Sequence, residues 1–345
     1  MRPVLTPNKI LVIRLSSLGD VVLTLPALAA LKAAWPKAHL TFLVKKSFAP
    51  VLAGLPHVDE VSEFERRGVW GWAREIRRRR FDLVVDLHDT VRSRFWSMAS
   101  GADRCVRYDK RAWERRLLVW FKKQSDRLNG DVVDRYAEPL VSLGVPVGDR
   151  VPHLPVASGE RLPDDLERRL GPGPFIGVAP GALHATKQWP PDRFAHAADQ
   201  LSRDLNVPVV LMGSKADIGA VECVLRTLES PAISVAGQTS VRDLMVLLSR
   251  CKAVLTNDSG ALHVSAALGV PTVAVFGPTV KPFGFFPKGH WTTVVESEGL
   301  DCRPCSLHGA KTCPKGHFRC MNDVAVDRVV NVVRGLLNRP SPVTA

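Results

Sequence analysis

KILVIRLSSLGDVVLTLPALAALKAAWP, residues 9–36, decides the fold. Residues 9–15 (KILVIRL) are short, apolar and β-branched, the composition of a strand buried on both faces. Residues 16–20 (SSLGD) hold the glycine and small polar residues of a tight turn. Residues 21–35 then place Leu23, Leu28 and Leu31 at helical spacing before Pro36 ends the run. Strand, glycine turn and helix in this order are the opening unit of a parallel α/β sheet.

The same period continues outward. Residues 39–44, 58–64 and 81–87 read as further strands, 48–55 as a short helix and 70–80 as a longer one. Residues 144–174 are rich in Pro, Gly and charge and mark an interdomain boundary, with 151–154 adding a short strand. A second series follows. Strands are predicted at 175–179, 207–212, 233–236, 253–256 and 272–276, and helices at 191–205, 216–228, 241–251 and 261–268. A last helix is predicted at 324–337. The expected architecture is two doubly wound α/β domains in tandem, over residues 1–155 and 172–322. A helix at 323–338 is expected to return to the first domain.

The bulk properties agree with two globular domains. The chain has 345 residues, beyond the ~250–300 at which a single core stops growing. It is 46% hydrophobic and 23% charged, which excludes a disordered chain. No run approaches the ~18–20 apolar residues of a membrane span, and residues 1–9 hold no apolar signal core, so a cytoplasmic protein is expected. The formal net charge is +13. Residues 66–127 carry 18 Lys/Arg against 8 Asp/Glu, a field that favours phosphates on a sugar, a lipid or nucleic acid.

In doubly wound sheets, ligands bind beyond the carboxyl ends of the strands, so the loops there are the candidate sites. In SSLGD, Ser16, Ser17 and Gly19 form the turn. Asp20 is either a helix cap or a general base. In PGALHATKQWP, residues 180–190, Gly181 lets backbone approach a ligand and Lys187 is placed to neutralise a diphosphate. In TNDSGALH, residues 256–263, a strand runs into a helix. There Asn257, Asp258, Ser259, Gly260 and the following amides form an anion-binding turn, with His263 one turn on. Gly213 sits in a smaller βα turn of the same series.

RLSSLGDVVLTLPALAAL, PGALHATKQWP and TNDSGALHVSAALGVPTVAVFGPT, in that order, resemble the bacterial lipopolysaccharide heptosyltransferases of glycosyltransferase family 9. The stretch CRPC–CPKGHFRCM resembles the C-terminal signature of the heptosyltransferase II type. The resemblance implies a GT-B fold, two Rossmann-like domains facing across a cleft, the first taking the acceptor and the second the nucleotide sugar. It implies an inverting transfer of heptose from ADP-heptose to the lipopolysaccharide inner core, on the inner leaflet, without a catalytic cofactor. Asp20 then matches the catalytic base and Lys187 the residue that stabilises the leaving diphosphate. Asp258, Ser259, Gly260 and His263 match the donor turn, and Thr186 is expected to touch phosphate or sugar. Nucleic acid is not an expected partner. The other readings are a GT-B enzyme with another nucleotide sugar, a sugar-nucleotide epimerase, or a basic nucleic-acid-binding protein.

Two features remain outside these motifs. Cys302, Cys305, Cys313 and Cys320 could hold a structural zinc, pack as reduced thiols or pair. KRAWERRLLVWFKKQ, residues 110–124, places Trp113, Leu117, Trp120 and Phe121 on one side among Arg and Lys. It is either an interfacial helix or a core helix with a charged outer face.

Overall fold

The structure, a computed structural model, describes residues 6–65 and 68–339. The chain divides into two compact units. The first comprises Met1–Ala112 and Gly130–Leu154, the second Trp113–Asn129 and Pro155–Ala345. The backbone therefore passes between the units three times.

The first unit is a five-stranded parallel sheet of β1 (Lys9–Ile13), β2 (His39–Lys45), β3 (Glu60–Phe64), β4 (Leu83–Asp86) and β5 (Arg104–Arg107), in the order β3-β2-β1-β4-β5. The central strands are buried almost throughout because helices cover both faces. One face packs Leu11, Ile13 and Val84 against Trp72, Ile76, Phe81 and Trp96. The predicted helix over 21–35 is two helices, Leu18–Val22 and Leu25–Ala34. Pro26 breaks it, since proline has no N–H to give and its ring clashes with the carbonyl four residues back. The 48–55 segment is a 3-10 helix, Lys46–Leu52, and residues 151–154 form no strand.

The second unit holds β6 (Phe175–Ala179), β7 (Val209–Leu211), β8 (Ala232–Ser234), β9 (Cys251–Asn257), β10 (Thr272–Phe276) and β11 (Thr292–Glu296). They are parallel, in the order β11-β10-β9-β6-β7-β8. Its main core joins Ile176, Val178, Trp189, Phe194, Leu255 and Val275 to Val329, Val330, Val333 and Leu336 of the last helix, Val326–Leu337. That corrects the expected return to the first domain. The helix lies against β9, β10, β11 and the helix Pro191–Leu205, all in the second unit. The boundary differs as well, because Trp113–Asn129 groups with the second unit. The helix Ala112–Phe121 buries Leu118 with Leu128 and Phe283, and the Arg115 guanidinium lies 5.2 Å from the Phe283 ring centre.

Each sheet has one point where strand order reverses, between β1 and β4 in the first and between β6 and β9 in the second. The loops leaving those strand pairs are the ones that carry Asp20 and His88, and Lys187 and Asp258.

Candidate functional site

In the first unit, Asp20 lies in the first turn of Leu18–Val22, and its carboxylate is fully engaged. Oδ2 accepts the Ser17 N–H at 3.0 Å and the Ser17 hydroxyl at 2.8 Å. Oδ1 takes the Arg14 guanidinium at 2.7 Å and the Tyr136 hydroxyl at 3.2 Å. One carboxylate oxygen thus makes the cap contacts while the other faces Arg14 and Tyr136. Burial alone would raise its pKa. The Arg14 charge and the Ser17 hydrogen bonds outweigh burial and hold it down at about 2. Arg14 is itself fixed by donating to the Leu87 carbonyl at 2.6 Å and by lying over the Tyr136 ring.

The loop after β4 adds further groups. Asp86 is fully buried, and its Oδ1 accepts the backbone N–H groups of His88 and Asp89, each at 2.9 Å. This folds His88 into the neighbourhood of Arg14, Lys110 and Asp20. His88 is 9% exposed, and its Nδ1 has no hydrogen-bond partner among the described residues. Burial first, then the Arg14 and Lys110 charges, push its pKa down to about 3, so the imidazole is neutral in the working range. Lys110 donates to the Asp89 carbonyl at 2.8 Å. Burial and Arg14 lower its pKa too. A cleft lined by Asp86, Asp89, Arg94, Arg107 and Tyr108 opens beyond β4 and β5. His88 and Tyr136 carried no motif, and Arg14 and Lys110 open quoted stretches without a role of their own there. Only their convergence from separate strands and helices marks them.

In the second unit, Lys187 and Asp258 meet at 2.6 Å, both largely buried. Asp258 Oδ2 also accepts the Thr279 hydroxyl at 2.7 Å. Asn257 bridges the loops. Its Nδ2 donates to the Pro180 carbonyl at 2.7 Å, and its Oδ1 accepts the Trp189 N–H at 3.0 Å. Ser259 is the N-cap residue of Gly260–Ala267, yet no side chain caps that helix, and the Ser259 hydroxyl lies 3.1 Å from that of Thr256. The Ser259 side chain therefore makes no capping hydrogen bond to the first-turn amides. His263 is buried within the helix, its ring edge-on to Phe285.

Three expectations change. At Gly181 the room left by the missing side chain is taken up by Asp217. A Cβ there would stand 2.2 Å from Asp217 Oδ1, and one at Gly213 would stand 2.8 Å from Asp217 Cβ, so both glycines make room for Asp217. Asp217 in turn accepts from the Ser214 N–H and hydroxyl. Thr186 is engaged within the protein. It exchanges hydrogen bonds with Ala310, its N–H and hydroxyl donating to the carbonyl and its Oγ1 accepting the N–H at 2.7 Å. Gly309 completes this clamp, since a Cβ there would stand 2.7 Å from His184 Cβ and 3.2 Å from Lys187 Cγ.

The third concerns the cysteines, for which zinc, reduced thiols and pairing were open. Cys302, Cys305, Cys313 and Cys320 are free thiols close enough to influence one another, and the Cys320 pKa is pushed up to about 11, chiefly by burial. Among the described residues no three His, Cys, Asp or Glu side chains come together as a metal-ligand set. Cys320 instead packs in the apolar core beside Met321 and Val324. The stretch's visible work is to present Gly309 and Ala310 to the Lys187 loop.

Comparison with known proteins identifies the family and the fold. Residues 69–315 match the profile of glycosyltransferase family 9 (heptosyltransferase). Lipopolysaccharide heptosyltransferase 2 of Salmonella typhimurium is 29% identical, over 96% of this chain and 99% of that protein. Among solved structures, a family 9 glycosyl transferase from Veillonella parvula superposes with a TM-score of 0.77 at 26% identity, covering 96% of this chain and 97% of that one. The E. coli ADP-heptose lps heptosyltransferase II superposes with a TM-score of 0.75 at 26% identity, covering 95% and 98%.

Proposed function

The chain belongs to glycosyltransferase family 9, and from that premise we propose that it transfers heptose from ADP-heptose to the inner core of lipopolysaccharide, inverting the anomeric centre without a catalytic metal ion. The observation that carries the reading is the pairing of Lys187 with Asp258 beside an uncapped helix N-terminus. That is a preformed cradle for a diphosphate. The first unit takes the acceptor and the second the donor.

The acceptor hydroxyl oxygen bonds to the anomeric carbon while the bond from that carbon to the diphosphate oxygen breaks. The bonding pair leaves with ADP. Lys187 uses one N–H on Asp258 and has two more for the departing phosphate. The proton passes to Asp20. A carboxylate with a pKa near 2 is a weak base, so its transfer belongs late in the reaction, once carbon–oxygen bonding has made the hydroxyl proton acidic. Neutral His88, with Nδ1 unpaired, is placed to orient that hydroxyl or an adjacent polar group of the acceptor.

The acceptor is a glycolipid, so the enzyme works from the cytoplasmic side at the inner membrane surface. Among the described residues no helix is long and apolar enough to cross a membrane.

The test is calorimetry with ADP, UDP and GDP in EDTA, followed by an assay with ADP-heptose and core acceptor. ADP is expected to bind selectively, and transfer to proceed with EDTA present. Preference for UDP or GDP overturns the donor, and abolition by EDTA overturns metal independence.

A further inference from the structure

The helix Ala112–Phe121 shows its polarity in reverse. It buries a charged residue, Arg115, which lies over the rings of Phe283 and Phe285, and it exposes three large aromatics. Trp113, Trp120 and Phe121 are 60%, 59% and 63% exposed. At 3.6 residues per turn, positions 113, 116, 117, 120 and 121 share the outer stripe, and 115 and 118 face inward. The Trp113 and Trp120 rings pack edge to face at 6.1 Å, so the aromatic stripe is continuous.

The inner side is anchored. Leu118 packs with Leu128 and Phe283, and the Lys122 ammonium at the helix end donates to the Val119 and Pro304 carbonyls. The stripe is therefore a fixed feature of the second unit. Its rim is basic. Exposed Arg116 and Lys123 border the aromatics. Trp and Phe beside Arg and Lys is the composition of a helix lying in the headgroup layer of an anionic bilayer. Trp120 and Arg116 also wall a recess shared with His184 and Gly309, so the stripe adjoins the loop that carries Lys187.

We propose that the outer stripe of Ala112–Phe121, formed by Trp113, Arg116, Trp120 and Phe121, seats the protein on the surface of an anionic lipid bilayer. This rests on the proposed transfer to a membrane-held acceptor and names the surface that reaches it. The rings enter the headgroup region while Arg116 and Lys123 meet lipid phosphates.

The experiment is flotation of the full chain with vesicles of phosphatidylglycerol and phosphatidylethanolamine in equal parts, and with vesicles of phosphatidylcholine alone. Wild type is expected to bind the anionic vesicles and to release in high salt. The double variant Trp113→Ser/Phe121→Ser should bind at least about tenfold more weakly, and Arg116→Gln/Lys123→Gln about tenfold or more, from ~1 kcal/mol per basic residue at the membrane surface. Both should keep the wild-type melting temperature and ADP affinity. Wild-type flotation by the aromatic variant overturns the proposal. So does loss of self-association in that variant, in sedimentation velocity without lipid, with flotation unchanged, which assigns the stripe to a second copy. Transfer to a deacylated, water-soluble acceptor separates the two readings. If the aromatic variant loses flotation but wild type transfers nothing to any acceptor, the surface stands and the assigned reaction falls.

Discussion

The two switch-point loops solve opposite electrostatic problems. In the first unit a carboxylate, Asp20, is surrounded by donors and held ionised by Arg14, with Lys110 and His88 nearby. In the second unit an ammonium, Lys187, is held by one carboxylate, Asp258, beside helix amides that nothing caps. The first arrangement gathers its donors around an anion of its own. The second pairs its cation with one carboxylate and, on the proposed function, keeps further donors for an arriving diphosphate. On the proposed function, the contrast separates a loop that holds a proton acceptor from a loop that receives a phosphate.

The sharpest way to break that contrast is to remove each centre and read binding against turnover. Asp20→Asn should lower kcat by about 10²–10⁴ and leave ADP affinity unchanged, as loss of a general base does. Lys187→Met should lower kcat by about 10²–10³ and also weaken ADP, since its charge meets the leaving diphosphate. Equal loss of ADP affinity in both variants would erase the distinction.

The acid limb of stability sharpens it further. His88 has a folded pKa depressed to about 3. The unfolded chain takes up that proton near pH ~6.5 and the folded one does not, so stability is full above that pH and falls as pH drops toward 3. His88→Gln should remove about 1.4 kcal/mol per pH unit from the slope of stability near pH 5, measured by urea titration. Asp20, also depressed, keeps its contribution above its unfolded value and loses it only as pH falls through about 2. An unchanged slope near pH 5 in the His88 variant would mean that the ring is not held neutral.

Smaller effects probe the scaffolds. Gly181→Ala drives a methyl into Asp217 and should cost about 1–3 kcal/mol of stability, read by denaturant titration. Thr186→Val removes the hydroxyl from the Ala310 exchange and should cost about 1–3 kcal/mol, with a modest rise in KM for the donor as the Lys187 loop loosens. No change in KM would confine Thr186 to stability.

Much of the fold was legible because parallel strands buried on both faces announce themselves as apolar runs. KILVI at β1, FIGVA at β6 and TVAVF at β10 were read directly. β5 and β11 were not. RCVR is four residues with charge at both ends, and TTVVE is a half-exposed edge strand. The helix Val132–Val141 was hidden by Pro139, yet it delivers Tyr136 to Asp20 across 116 positions of sequence. The last helix showed its apolar stripe, but a stripe does not say which sheet buries it. At the sites, Asp20, Lys187 and Asp258 carried motif signals. His88 and Arg14 gain meaning only from contacts made by distant segments, and Gly181 and Thr186 face neighbours that no spacing rule names.

The three crossings of the backbone between units bear on how the chain can be divided. A gene fragment ending near residue 155 would code for the first sheet but also for Trp113–Asn129, whose Leu118 and Leu128 are covered by Phe283. The complementary fragment would lack the helix that shields Phe283. Each half would display raw apolar surface, so a soluble first unit calls for excising residues 113–129 and bridging Ala112 to Gly130, and a soluble second unit for grafting that segment back.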